Sequence, residues 1–400
     1  MFNPRLVALN DYPFTRLARL LSAPAPESRA PLALSVGEPQ HAPPALLADT
    51  LAKNTHLWGK YPPQTGTLAY RKAVAGWLAR RYGLQGAVDP DRNVIPVAGT
   101  REALFQVALL VATEDAAGNK KRIAIPNPSY AVYEGAARLA GADLRLLNTT
   151  PESGFLPDLH AVADQDWART ALLMLCTPSN PEGAVADRAY LAHAIKLARK
   201  HGFLLAVDEC YAEIWDHEPP PGALEVAASI GGTTDPFANV LVFHSLSKRS
   251  SAAGLRAGFV AGDAAALELF LRLRNFASGG VPLPVLEAAT ALWNDEKHVE
   301  ENRSAYRAKF DLAEKSFTGR FGFQRPGGGF FLWLDVGDGE RAAKRLWTEA
   351  AIRTLPGAYM ARTGADGRNH AQGFLRVALV HDLPVLADAL PRMAALLEGN

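Results

Sequence analysis

Cysteine is nearly absent from this chain of 400 residues, which holds only Cys176 and Cys210. They form no CxxC pair and nothing around them has zinc spacing, so a disulfide framework and a zinc module are both excluded. Each lies in or beside an apolar run, 171–176 and 203–207, where a buried thiol acts as a small hydrophobe. Long apolar stretches are lacking too. No run of about eighteen apolar residues occurs, and Asn10, Asp11 and Pro13 interrupt the place where an export signal needs its apolar core, so a cytoplasmic protein with no membrane span is expected. Charge of one sign is also missing. Lys+Arg 42 against Asp+Glu 41 leaves a net charge of +1, which gathers neither nucleic acid nor an anionic membrane, and small molecules are the expected partners. Scans for GxGxxG, Walker A and HExxH find nothing, which removes the main support for nucleotide or zinc chemistry, and no metal is expected.

What is present is an ordinary globular composition, 48% apolar and 21% charged, on a chain long enough for a sizeable core and more than one domain. Short β-rich apolar runs recur at 94–98, 122–125, 144–147, 172–176, 203–207, 240–243 and 256–261. Helical patterns fill the gaps, as at 102–112 and at 187–201, where Leu191, Ile195 and Leu197 lie near a 3.6 period. Alternation of this kind predicts an α/β fold, a mostly parallel seven-stranded sheet sandwiched by helices. After Val281 the pattern changes to a long charged helix over 287–317, a Gly-rich 326–329 and a strand over 330–336. The expected division is an N-terminal arm that joins the small domain (1–40), a large domain (41–285) and a smaller α+β domain (286–400).

In open α/β sheets ligands bind outside the carboxyl ends of the strands. Five such ends are rich in polar groups: Gly99-Thr100-Arg101, Pro126 to Tyr130, Thr177 to Pro181, Asp208 to Tyr211, and Ser245 to Lys248. Singly, most read as turns or helix caps. Asp208 differs, since a carboxylate directly after five apolar residues is expected to be buried and to need a cation or several donors. Ser245-Leu246-Ser247-Lys248 also matches the S-x-x-K of acyl-enzymes, but no K-T-G or S-D-N element accompanies it. A ring-shaped, phosphate-bearing cofactor with an aldehyde unifies the five ends. Lys248 would attack the aldehyde, helped by desolvation and a nearby cation. Arg256, the Ser245 hydroxyl and the backbone amides of Gly99, Thr100 and Arg101 would take the phosphate.

Eight segments then appear in one order: Ser-Val-Gly-Glu-Pro at 35–39, Tyr-Pro-Pro-Gln-Thr-Gly at 61–66, Gly-Thr-Arg-Glu-Ala at 99–103, Pro-Asn-Pro-Ser-Tyr at 126–130, Ser-Asn-Pro-Glu-Gly at 179–183, Asp-Glu-Cys-Tyr at 208–211, Ser-Leu-Ser-Lys at 245–248 and Leu-Arg-Val at 375–377. In that order the chain resembles, over nearly its whole length, the fold type I, class I/II aminotransferases that use pyridoxal 5'-phosphate. The resemblance implies that Lys248 bonds covalently to the cofactor and later carries the proton at the substrate Cα. It also implies that Asp208 pairs with the protonated pyridine nitrogen, Tyr211 and Asn180 hydrogen-bond the ring oxygen, and Tyr130 stacks on the ring. Arg376, with Asn180 and the backbone of Gly37, would hold the substrate α-carboxylate. Tyr61 would reach the cofactor phosphate of a partner subunit, making a homodimer with shared active sites. Ala98 departs from the pattern, because many relatives place a hydroxyl there.

Further segments, 99–105, 133–137, 250–263 and the run Trp-Asn-Asp-Glu-Lys-His-Val-Glu-Glu-Asn-Arg at 293–303, resemble the N-succinyl-L,L-diaminopimelate aminotransferases of bacterial lysine biosynthesis. That likeness implies exchange of an amino group with glutamate and extra cations for distal carboxylates, with Arg101, Arg274 and Arg325 as candidates. Aspartate, aromatic and kynurenine aminotransferases and cystathionine β-lyases share most of the same residues and remain alternatives. A regulator built on such a domain is a remoter one, since Gly37 lies too near the start to leave room for an added DNA-binding domain.

Overall fold

The computed structural model describes residues 2–115, 117–364 and 366–399. Its central sheet has seven strands: β1 (Val94–Val97), β2 (Arg122–Asn127), β3 (Asp143–Asn148), β4 (Thr170–Cys176), β5 (Leu204–Asp208), β6 (Val240–Ser245) and β7 (Gly258–Gly262), in the order β1-β7-β6-β5-β4-β2-β3. Every residue of β4 and β6 is buried, which is why these strands read as unbroken apolar runs rather than alternating ones. β2 to β6 pair in parallel, while β7 runs antiparallel to both β1 and β6. The link between β6 and β7, residues 246–257, holds only the short helical turns Leu246–Arg249 and Ala253–Leu255 and returns the chain antiparallel beside β6. Gly258 closes that link opposite Ser245, and a Cβ there would lie 2.4 Å from the His244 carbonyl.

Helices cover the sheet. Arg188–His201 is a typical case, starting where the Asp187 carboxylate accepts from the Tyr190 amide and ending in basic residues before Gly202 in the left-handed region. The stretch expected as one helix over 102–112 is an α-helix only over Thr100–Gln106 and continues as a 3-10 turn over Val107–Leu109. The strand expected from Arg256 starts at Gly258, because Arg256 has φ 54° and cannot enter a ladder.

A second apolar cluster lies beyond the sheet. It gathers on a three-stranded antiparallel sheet of β8 (Phe331–Asp335), β9 (Leu355–Pro356) and β10 (Phe374–Ala378), packed under the helices Lys297–Phe317 and Leu383–Glu398. Leu32–Ala33 pairs with Ile352–Arg353, tying the N-terminal region to this cluster. The single helix expected over 287–317 is two, Leu283–Asn294 and Lys297–Phe317. Asp295 takes extended backbone angles and its carboxylate accepts from the His298 amide, so a local capping bond outcompetes continuation of the helix. Among the described residues no helix is long and apolar enough to cross a membrane.

Candidate active site

The carboxyl ends of the central strands open into a cavity of about 680 Å³, lined on its far side by Phe331, Leu355 and Arg376 from the three-stranded sheet. Lys248 enters it from a four-residue helix, Leu246–Arg249, that follows β6 directly. Ser245 caps this helix by accepting from the Ser247 amide. The Lys248 Nζ donates to the Gly37 carbonyl. Burial holds the ammonium down, to about 8, and Arg376 adds to the depression. The helpful cation is thus Arg376, where the sequence pointed to Arg256.

Asp208 ends β5 and is buried. Its Oδ2 accepts from the Tyr133 hydroxyl at 3.0 Å and its Oδ1 from the Cys210 amide at 3.2 Å. No cation makes an ion pair with it among the described residues, and burial raises its carboxyl above the usual range. Tyr133, which opens the segment 133–137, takes no site role in the sequence analysis, although it follows Tyr130 at the i+3 spacing that puts two side chains on one helical face. Cys176 and Cys210 both line the cavity, and burial pushes both thiols up.

Two of the groups expected at the phosphate are bonded within the protein. The Gly99 amide donates to the Val97 carbonyl at 2.8 Å, closing a tight turn. Gly99 also serves as space, because a Cβ there would meet the Arg256 guanidinium at 2.3 Å. Thr100 and Arg101, in the first helical turn, line the cavity with amides that have no intrahelical acceptor. The Ser245 hydroxyl lies 2.9 Å from Ser247 Oγ and 3.4 Å from the Ala257 carbonyl, so its proton has acceptors within the protein.

Three guanidinium groups reach the cavity and none is ion-paired among the described residues. Arg256 donates to the carbonyls of Ala253 and Ala98 at 3.0 and 3.3 Å. Arg376, buried, donates to Asn180 Oδ1 at 2.8 Å and to the Ser35 carbonyl at 2.6 Å, with its Nε unpartnered and its Cζ 4.2 Å from the Phe331 ring centre. Arg101 donates to the hydroxyls of Tyr130 and Tyr12 at 2.6 and 3.3 Å. Arg376 is buried while Arg101 and Arg256 are exposed to solvent, and Glu38 and Glu102 share the lining, so the strongest demand for an anionic partner comes from Arg376.

Tyr211 lines the same cavity, its ring edge-on to Phe330 and Phe331. Tyr61 does not. The residue is 99% exposed on this chain. Arg274 and Arg325, offered for distal carboxylates, lie outside the cavity. Arg274 is fully buried over Phe270 and donates to Gln106, while Arg325 is taken up by Asp216, Asp311 and Glu314. Tyr12, Phe14 and Met360, which no strand-end pattern marks, complete the wall near Arg101. The arrangement suits a ligand with a basic nitrogen for Asp208, an anionic group for Arg256, a carbonyl for the Lys248 amine, and a carboxylate for Arg376.

Residues 30–392 match the family described as aminotransferase class I and II. Among curated proteins, the chain is 36% identical to the 4-dedimethylamino-4-oxo-anhydrotetracycline transaminase of Streptomyces rimosus, covering 83% of this chain and 86% of that one. It is 31% identical to the LL-diaminopimelate aminotransferase of Desulforudis audaxviator, over 97% and 96%. An aminotransferase structure from Neisseria meningitidis superposes with a TM-score of 0.92 at 39% identity, covering 99% of this chain and 100% of that one. A probable N-succinyldiaminopimelate aminotransferase of Thermus thermophilus gives 0.85 at 27%, over 96% and 99%.

Proposed function

The chain belongs to the class I and II aminotransferases, and from that premise we propose that it transfers an amino group between N-succinyl-L,L-2,6-diaminopimelate and 2-oxoglutarate, as a cytoplasmic homodimer in lysine biosynthesis. Enzymes of this family depend on pyridoxal 5'-phosphate. When bound, that cofactor supplies an aldehyde that receives the amino group and a ring that draws off the electron pair left at the substrate Cα. The residues present fit it. Asp208 is a buried carboxylate lacking a cation, which a protonated ring nitrogen provides. Arg256 with the Thr100 and Arg101 amides offers positive charge and donors for a phosphate, and Lys248 is an amine neutral enough to bond an aldehyde. Tyr211, Asn180 and Tyr130 line the same cavity, and in this reading the first two would hydrogen-bond the ring oxygen and Tyr130 would cover a ring face.

The remaining steps belong to the protein. Arg376, its fork aligned by Asn180 and the Ser35 carbonyl, grips the substrate α-carboxylate. That contact presents the Cα proton to the Lys248 amine, which removes it and returns it elsewhere. The Gly37 carbonyl orients the amine between these events. Tyr61, exposed on its own chain, completes the phosphate site of the partner subunit.

The observation that carries the substrate assignment is the third guanidinium. Once Arg256 and Arg376 are assigned, Arg101 remains, held by two neutral hydroxyls with its charge unspent beside an aromatic and apolar wall. A donor with distal carboxylates uses that charge. The names of the Desulforudis and Thermus relatives support the same pathway. Free LL-diaminopimelate is the second candidate, since Glu38 and Glu102 line the cavity and would pair with a distal ammonium. Initial rates with 2-oxoglutarate over a panel of donors decide between them. Fastest turnover of the succinylated donor is expected. Preference for LL-diaminopimelate selects the second candidate, and fast aspartate, phenylalanine or kynurenine turnover with indifference to both removes the pathway.

A further inference from the structure

The run 293–303 sends no residue into the cavity, yet four of its members end on the segment that carries Lys248. The helix Leu246–Arg249 is a single turn in which the Leu246 carbonyl accepts from the Ser250 amide, while the Lys248 and Arg249 carbonyls lie at its end and look for partners elsewhere. Asn302, from the helix Lys297–Phe317, supplies one: its Nδ2 donates to the Lys248 carbonyl at 3.0 Å and to the Arg249 carbonyl at 3.3 Å. Around it, the Arg249 guanidinium donates to the carbonyls of Leu292 and Asp295 and to the Glu296 carboxylate, and His298 Nε2 lies 2.8 Å from Ser250 Oγ.

The other end of the Asn302 amide is equally committed. Its Oδ1 accepts from Ser251 Oγ at 3.1 Å and from His41 Nδ1 at 3.0 Å. Since an amide oxygen only accepts, the imidazole proton must sit on Nδ1, which leaves Nε2 to accept from the buried Lys309 ammonium at 2.7 Å. Lys309 also donates to the Val380 carbonyl. His41 stands four residues beyond Gly37, whose carbonyl takes the Lys248 Nζ. Lys248 is therefore held at both ends by one network, its main chain by Asn302 and its ammonium through a segment anchored at His41.

We infer that Asn302 is a positioning residue for Lys248, and that the chain Lys309–His41–Asn302 sets where the reactive amine stands. The inference rests on Lys248 being the cofactor-bonding lysine. A merely structural bolt would stabilise the fold without affecting the amine. A positioning bolt keeps the amine in its desolvated place against Gly37, so its loss lets the ammonium move toward water and titrate closer to an ordinary lysine. The groups facing His41 are Lys309, Asp382 and the Tyr306 ring, so protonating the imidazole would set it against the Lys309 ammonium.

The test uses cofactor-free full-length protein, to which pyridoxal 5'-phosphate is added while the growth of visible absorbance is followed across pH. For Asn302→Ala, the pH at half-maximal uptake rate should rise by about half a unit or more. After loading, kcat should fall about tenfold with KM within about twofold. His41→Gln, which keeps one donor and one acceptor, should stay within about twofold of wild type at pH 8, while His41→Leu should follow Asn302→Ala. An Asn302→Ala protein that only melts earlier, with uptake profile and kcat unmoved, overturns the inference. If that variant does not fold, the two His41 variants decide, and identical behaviour of Gln and Leu overturns it as well. Lys248→Ala is the separate control: visible absorbance surviving there refutes the lysine assignment itself.

Discussion

Arg376 donates from Nη1 to Asn180 Oδ1 at 2.8 Å, and among the described residues no carboxylate reaches this buried guanidinium. A neutral amide aligns the fork without cancelling its charge, so the attraction is kept for an incoming carboxylate. Desolvation holds the group down, to about 10, which leaves it cationic at neutral pH. Of the other buried arginines, Arg249 and Arg303 are matched with glutamates, whereas Arg274 donates to Gln106 and lies outside the cavity. What distinguishes Arg376 is that its guanidinium, without an ion pair among the described residues, lines the cavity that Lys248 enters.

Arg376→Gln should therefore raise KM for every amino donor and lower kcat/KM by roughly 30-fold or more, from the loss of about 2 kcal/mol of charge-assisted hydrogen bonding. Steady-state kinetics with two unrelated donors check this. A loss confined to one donor would show that Arg376 reads a distal group instead.

The depressed Lys248 makes a pH prediction with a definite sign. Only the neutral amine attacks an aldehyde, and its fraction grows as pH rises through the pKa, so uptake of pyridoxal 5'-phosphate should climb to about pH 8 and then level off. An ordinary lysine would keep accelerating past pH ~10. Stopped-flow absorbance from pH 6 to 10 distinguishes the two, and Lys248→Ala should show neither visible absorbance nor turnover.

Asp208 carries a cost that its partner removes. Its folded carboxyl is raised by burial, so the folded state holds the proton more tightly than the unfolded chain, and stability falls as pH rises above the unfolded value near ~3.9. Asp208→Asn should accordingly raise Tm of the cofactor-free protein at pH 7, with a benefit that shrinks toward pH 4. The same change should lower kcat of the loaded enzyme by about 10²-fold or more. Calorimetry and kinetics on one preparation test both halves, and a variant less stable at pH 7 contradicts the unpaired-carboxylate account.

Much of this architecture was legible because central parallel strands are buried on both faces and announce themselves as apolar runs, and the residues just after them, Asn180, Asp208, Tyr211 and Lys248, do line one cavity. Illegible were features decided by tertiary neighbours. Arg274 and Arg325 look as available in sequence as Arg101, but helix packing covers the first and three acidic side chains neutralise the second. Tyr12 and Met360 reach the cavity from stretches with no periodic signal, and the break at Asp295 turned on a single capping bond. The run 293–303 could be seen as distinctive, but its attachment to the lysine helix is a contact between elements some fifty residues apart.

Tyr61 offers a test of site sharing. The residue is 99% exposed on its own chain, so its side chain is free to meet a second chain. When inactive Tyr61→Ala and Lys248→Ala proteins are mixed and allowed to exchange, half the dimers should be hybrids, each with one intact site, restoring about a quarter of wild-type activity. No recovery, with exchange verified by tagged subunits, would place Tyr61 outside the partner's site.

Arg101 gives the sharpest test of the substrate. Its Nε and one terminal nitrogen hold the hydroxyls of Tyr130 and Tyr12, so the side chain is oriented before any ligand arrives, and its charge is not consumed. A distal carboxylate would gain one charge-assisted hydrogen bond there, worth about 1.5–3 kcal/mol, whereas a donor lacking such a group gains nothing. Arg101→Gln should thus raise KM for N-succinyl-L,L-diaminopimelate by roughly 10- to 100-fold while leaving that for alanine within about twofold. Because Arg101 also braces Tyr130, the cofactor dissociation constant must be measured alongside. If cofactor affinity falls and both donors weaken together, Arg101 supports the ring and the distal carboxylate is read elsewhere.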